Sequence, residues 1–388
     1  MGQTLPGRAD VGTAEDLHAS ATKVTGLSDF GADEYREGLA VLLDSYARDA
    51  ALTPFGNKVT RSMLRGALVA RLLSEAAWQQ YPQHADVAIE RPIFVTGLPR
   101  TGTTALHRLL CADPAHQGLQ VWLSEMPQPR PPRETWDANP LYQHIKAGYE
   151  QHHIANPEFL GVHYISADSV EECWQLLRQS MHSVSFESLA HLPTYSAWLA
   201  AQDWTPAYLR HRRNLQLIGL NDADRRWVLK NPSHLFALDA LMAAYPDALV
   251  IQTHREPRTI IASSSSLSAH ASAGQSTVFQ GEVIGRDQLE LWSRGASTFA
   301  RDRGKYDPAQ FLDVQYDDFV ADPNGTVETV YRHFGLSRSQ QARHAAAQLH
   351  EQGAAGAARP SHRYSLADFG LTAADVDARF GTAAVGGT

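Results

Sequence analysis

The sequence predicts an α/β fold, a P-loop-like parallel sheet flanked by helices, with an N-terminal helical extension and further helical insertions. Three observations carry this. Short apolar runs at 93–95, 226–229, 248–251 and 311–314 alternate with helix-period segments, the pattern of parallel strands joined by covering helices. The first run leads through a glycine- and threonine-rich loop, 97–104, into a helix marked by Leu106, Leu109 and Leu110 at i, i+3 and i+4. The second and third runs close on Lys230 and on His254-Arg255, so cations gather beyond the C-terminal strand ends, where such sheets bind ligands.

The elements follow in order. Thr13 with Asp16 three residues later is a capping box that opens a short helix. Spans 33–47 and 60–80 read as longer amphipathic helices. In the second, Leu64, Leu68, Leu72 and Ala76 recur every four residues, and Tyr81-Pro82 ends it. Residues 1–90 are therefore expected to form a helical extension packed on the core, and 91–388 the α/β unit, together one domain. The proline-rich 126–132 must be extended. From 136 to 208 the chain reads mostly helical, most clearly at 171–180, and 122–204 holds five of the eight tryptophans. A helix is expected from Ser233 to Ala244, broken by Tyr245-Pro246. Small polar residues fill 263–281, whose second half reads as a mobile loop. Helices at 285–303 and 327–334, an alanine-rich 345–358 and capping boxes from Ser365 and Thr372 complete the chain.

Composition narrows the function. With 388 residues, 43% of them hydrophobic and 20% charged, the chain can bury a large core and has the make-up of an ordinary soluble protein. A formal net charge of −8 argues against a nucleic-acid surface or a polybasic membrane patch, so an anionic ligand must be met by local cations. Two cysteines, Cys111 and Cys173, support neither a disulfide framework nor a cysteine zinc site. There is no run of 18 apolar residues and no apolar signal core at the N-terminus, so no membrane insertion and a cytoplasmic location are expected. His152-His153 diverge on a helix without a third ligand at suitable spacing, so no metal site is expected.

The loop itself is an anion cradle, because strand, glycine turn and helix N-terminus aim backbone N–H groups at one point. Gly97 and Gly102 have the spacing of a Walker A loop, yet Thr103 stands where that motif needs lysine, and the loop's cation is Arg100. The strand ends offer Asn231-Pro232 and His254-Arg255 rather than an aspartate for Mg²⁺. Both absences weaken a P-loop small-molecule kinase reading. A plain turn of this composition, or a nucleotide-binding pseudo-enzyme, stays open.

At this point the chain resembles the sulfotransferases that use 3′-phosphoadenosine 5′-phosphosulfate (PAPS). Thr96 followed by Gly97, Leu98, Pro99, Arg100, Thr101, Gly102, Thr103 and Thr104 is similar to that family's 5′-phosphosulfate loop. Arg255 and Ser263, eight apart across a strand-to-helix junction, are similar to its 3′-phosphate site. Leu229 through His234 and His362 through Gly370 resemble a bacterial, actinobacterial-type branch. The resemblance implies PAPS as co-substrate, no metal, and a small-molecule acceptor hydroxyl held by the helical insertions. A monomer or homodimer is expected.

The residue chemistry agrees with that implication. PAPS carries two separated anionic groups, and Arg255 with Ser263 can grip one while the loop holds the other. Charge growing on the leaving phosphate calls for cations, for which Arg100 and Lys230 are the candidates. The acceptor's proton needs a base, ranked His234, then Glu125, then His163. Trp122 and His163 are candidates for the acceptor wall, and Arg363 for an extra phosphate ligand. Asp168, Glu171 and Glu172 read as a solvated acidic helix start.

Overall fold

A computed structural model describes residues 10–155, 165–356 and 364–381. Five strands, β1 (Ile93–Gly97), β2 (His116–Gln117), β3 (Arg226–Lys230), β4 (Leu249–His254) and β5 (Phe311–Gln315), form a parallel sheet in the order β2-β3-β1-β4-β5. β1 is central, pairing Val95 with Lys230 and Gly97 with Thr253. The chain leaves β1 to build one side of the sheet and returns to build the other. The end of β1 is therefore the switch point at which such folds open a ligand crevice. The four strands read from the sequence are present. β2, two residues long, has no apolar run to mark it.

Alternation along β1 divides the core. Phe94 faces a large cluster that runs from Leu17 and Leu68 through Trp122 and Leu229 to Val376. Ile93 and Val95 face a second cluster with Leu106, Leu110, Val228, Ile251 and Val330. Each fully buried side chain of this kind contributes about 1.5–3 kcal/mol relative to exposure. The helices Ala14–Thr25, Tyr35–Arg48 and Pro54–Gln80 put Leu17, Leu39 and Leu68 into the first cluster, so the N-terminal extension shares a core with the sheet. Thr13 and Asp16 form the expected capping box, and Thr53 caps the long helix with Pro54 at its first position.

Three expected elements differ. The helix expected most clearly, at 171–180, is only five residues long, Trp174–Arg178. The segment from Ser233 to Ala244 is a 3-10 turn (Pro232–Phe236) followed by a short helix (Leu238–Ala244), because the Asn231 side chain takes the Ser233 N–H at 2.9 Å and tightens the first turn. The first half of 263–281 is helix (Pro257–Ala271), and the second half, expected to be a mobile loop, is a run of turns hydrogen-bonded to the N-terminal extension. Thr53 N donates to Gln275 O at 2.9 Å, and Ser276 Oγ to Ala50 O at 2.6 Å.

Candidate active site

The loop after β1 turns through left-handed backbone at Gly97 (φ 144°), Arg100 (φ 69°) and Gly102 (φ 85°). A Cβ on Gly97 would lie 2.4 Å from Thr253 Oγ1 and 2.6 Å from its carbonyl, so glycine is required where β1 and β4 approach. Arg100 has no such licence, and holding it there costs about 1–2 kcal/mol. Its neighbours fix it in place. Arg100 Nε donates to Ser263 Oγ at 3.2 Å, and Arg255 Nη1 donates to the Arg100 carbonyl at 3.0 Å. The Arg255 guanidinium also lies 4.1 Å from the Tyr316 ring centroid.

Neither arginine is spent on an acid. Among the described residues no carboxylate lies within ion-pair distance of Arg100 or Arg255, and Glu256 instead caps the following helix at Thr259 N (2.7 Å). The structure thus brings Arg100, Arg255 and Ser263 together. Exposed Arg100 and half-buried Arg255, with no carboxylate among the described residues in ion-pair distance, stand beside a turn of amides opening the Thr103–Cys111 helix, an arrangement with the chemistry of an anion cradle.

On the other side of the loop lies a cleft of about 380 Å³. Pro99, Arg100, Thr103 and Thr104 line it from the loop, and Glu172, Trp174 and Trp292 face them. Lys230 stands behind this wall. Its buried Nζ donates to Thr104 Oγ1 at 3.1 Å and to Glu172 Oε1, so it reaches the cleft through those groups rather than directly. Burial pushes the Glu172 carboxyl above the usual range, with Lys230 opposing.

Glu172 is the residue that sequence reasoning missed. Glu171 also turns inward, pairing with Arg108 at 3.1 Å, and only Asp168 is exposed as expected. The available signal was Cys173 and Leu176-Leu177 just beyond: an acid abutting an apolar run that must be buried.

His234 requires correction. It does not line the cleft; it is fully buried below the end of β3, accepting or donating with Tyr208 Oη at 2.7 Å through Nδ1. Phe94 stands edge-on at 5.0 Å. Burial holds its imidazole well below the usual histidine range. An imidazole so enclosed cannot meet an acceptor. Trp122 is corrected likewise. It is a fully buried core residue packed on Trp136 (5.3 Å) and Tyr142 (5.6 Å), while Trp174 and Trp292 supply the aromatic wall.

Glu125 accepts from Tyr149 Oη at 2.9 Å, and burial pushes its carboxyl up. It lines neighbouring cavities and not the cleft under the loop. His163 and Arg363 lie outside the described residues. Among the described residues no three His, Cys, Asp or Glu side chains converge as metal ligands would, and no helix is long and apolar enough to cross a membrane.

Residues 92–340 match the profile described as the Sulfotransferase family. The crystal structure of sulfotransferase STF1 from Mycobacterium tuberculosis is 63% identical, with 96% of this chain and 99% of that one covered and a TM-score of 0.90. Sulfotransferase STF9 from Mycobacterium avium superimposes with a TM-score of 0.85 at 26% identity, over 97% of this chain and 96% of that one. Among curated proteins, the omega-hydroxy-beta-dihydromenaquinone-9 sulfotransferase Stf3 of Mycobacterium bovis, and its counterpart in Mycobacterium tuberculosis, are 27% identical over 259 residues. That alignment spans 64% of this chain and 64% of the length of those relatives.

Proposed function

The chain belongs to the sulfotransferase family, and from that premise we propose that it moves a sulfuryl group from PAPS to the hydroxyl of a partly aromatic or lipophilic small molecule. The observation that carries this reading is the pair of uncompensated arginines, Arg100 and Arg255, joined through Ser263 and the loop carbonyl. Two cations without acids, beside an amide cradle and across from Thr103 and Thr104, suit a ligand with two anionic groups. The co-substrate supplies an activated sulfuryl group and a phosphate that departs with the electron pair of the broken S–O bond.

The residues then divide the work. The loop amides and Thr103 hold the 5′-phosphate end, and Arg100 faces the charge that grows on the departing oxygen. Arg255 and Ser263 take the 3′-phosphate. Glu172 accepts the acceptor's proton as the new O–S bond forms, since its carboxylate lines the cleft beside Thr104 and burial raises its proton affinity above that of an ordinary carboxylate. Lys230 is a positioning residue that holds Glu172 and Thr104 in register. Trp174, Trp292 and Leu267 give the acceptor an apolar wall. The curated relatives act, by their name, on a hydroxylated dihydromenaquinone, itself a lipophilic alcohol, which supports the acceptor class without identifying the compound. A cytoplasmic monomer or homodimer acting without a metal completes the reading. Calorimetry with adenosine 3′,5′-bisphosphate is the direct test. Binding is expected, and its absence overturns the proposal.

A further inference from the structure

A second cavity, of about 900 Å³, adjoins the cleft under the loop. Tyr149, His152, Arg178, Leu189 and Ala271 line both. Its long wall is the Pro54–Gln80 helix. Val59, Met63, Gly66 and Ala70, at i, i+4, i+7 and i+11, form a stripe facing it, while Leu64, Leu68 and Leu72 face the core. The helix therefore carries two apolar faces, and the core accounts for one of them. Polar groups at the junction are already partnered. Tyr149 donates to Glu125 at 2.9 Å, and Arg178 donates to Ser185 at 2.7 Å and to Gln175 at 3.1 Å. Val24 and Phe55, both exposed, stand at the outer rim with Lys58.

We propose that the two cavities form one acceptor channel, and that the acceptor is a long-chain lipophilic alcohol whose tail lies along the Pro54–Gln80 helix. The inference rests on the sulfuryl-transfer reading and adds the acceptor's shape. The hydroxyl sits between Thr104 and Glu172, the junction residues surround the first carbons, and the stripe from Val59 to Ala70 receives the rest. That stripe spans about 16 Å of helix axis, the length of an extended chain of about a dozen carbons. Polar side chains, among them Arg65, Glu125, His144 and Gln275, also line the cavity, and burial of hydrocarbon along the apolar stripe supplies the affinity.

The test uses the full chain saturated with adenosine 3′,5′-bisphosphate, reading alcohol binding by quenching of tryptophan fluorescence. A straight-chain series from butanol to dodecanol should tighten about three- to fourfold per added methylene throughout. Affinity that levels off short of dodecanol overturns the channel. A Cβ on Gly66 would meet nothing within 4 Å, so Gly66→Trp projects into the cavity without displacing backbone. It should lower the dodecanol-to-hexanol affinity ratio at least tenfold; an unchanged ratio also overturns it. Failure of the bisphosphate to bind would instead sink the donor reading, which keeps the two failures distinct.

Discussion

The proposed donor half and the proposed acceptor half of the site are built in opposite ways. The donor half is strung from strand ends: the loop after β1, Lys230 closing β3, Arg255 just after β4 and Ser263 in the helix that follows β4. Parallel pairing brings those ends to one edge whatever surrounds them. The acceptor half draws Tyr149, the neighbours Glu172 and Trp174, Leu189 and Trp292 from four distant segments with no shared period. Only packing puts them side by side. A site made of strand ends is written locally, and a site made of helix faces is not.

The sharpest way to break this division is at its seam, where Glu172 of the acceptor half meets Lys230 of the donor half. Glu172→Gln should lower kcat by about 10²–10⁴ while bisphosphate affinity stays within threefold. A fall of less than tenfold in single-turnover rates would remove Glu172 from its assigned role. In the wild type, the deprotonated form is the working one, so turnover should rise with pH through the raised Glu172 value and the variant should lose that limb. Stability carries the opposite sign. The folded state holds this proton more tightly, so the contribution is present below the unfolded carboxylate range and is lost as pH rises through the raised value.

Arg255→Ala probes the donor half alone. Losing a forked charge pair should weaken bisphosphate binding by about 2–5 kcal/mol, with acceptor affinity unaffected. Calorimetry showing less than a twofold change would detach Arg255 from the 3′-phosphate. The smallest effect on chemistry is expected at His234. His234→Gln should cost about 1–3 kcal/mol in denaturant unfolding, through the bond with Tyr208, and leave the pH–rate profile in place. A shifted profile would return the histidine to the reaction and undo the correction made above.

The sequence by itself showed four of the five strands and the cradle, and its residue chemistry pointed to the donor. Apolar runs fix strands, Gly97 and Gly102 fix a turn that Cβ atoms would block, and Arg100 in place of a Walker lysine points away from a nucleotide triphosphate. Tertiary structure alone decided which polar residues face the cleft. His234 follows Lys230 by four residues, yet the tight turn begun by Asn231 sends the two side chains to different surroundings. Glu171 and Glu172 look like a solvated helix start until the chain lays them under Lys230 and Arg108. The long N-terminal helix shows the same limit, since its Leu64, Leu68 and Leu72 face was legible in the sequence but the Val59–Ala70 stripe that walls a cavity was not. Local sequence sets backbone conformation and which face is apolar. Burial, and with it pKa and reactivity, depends on what arrives from distant segments to cover that face.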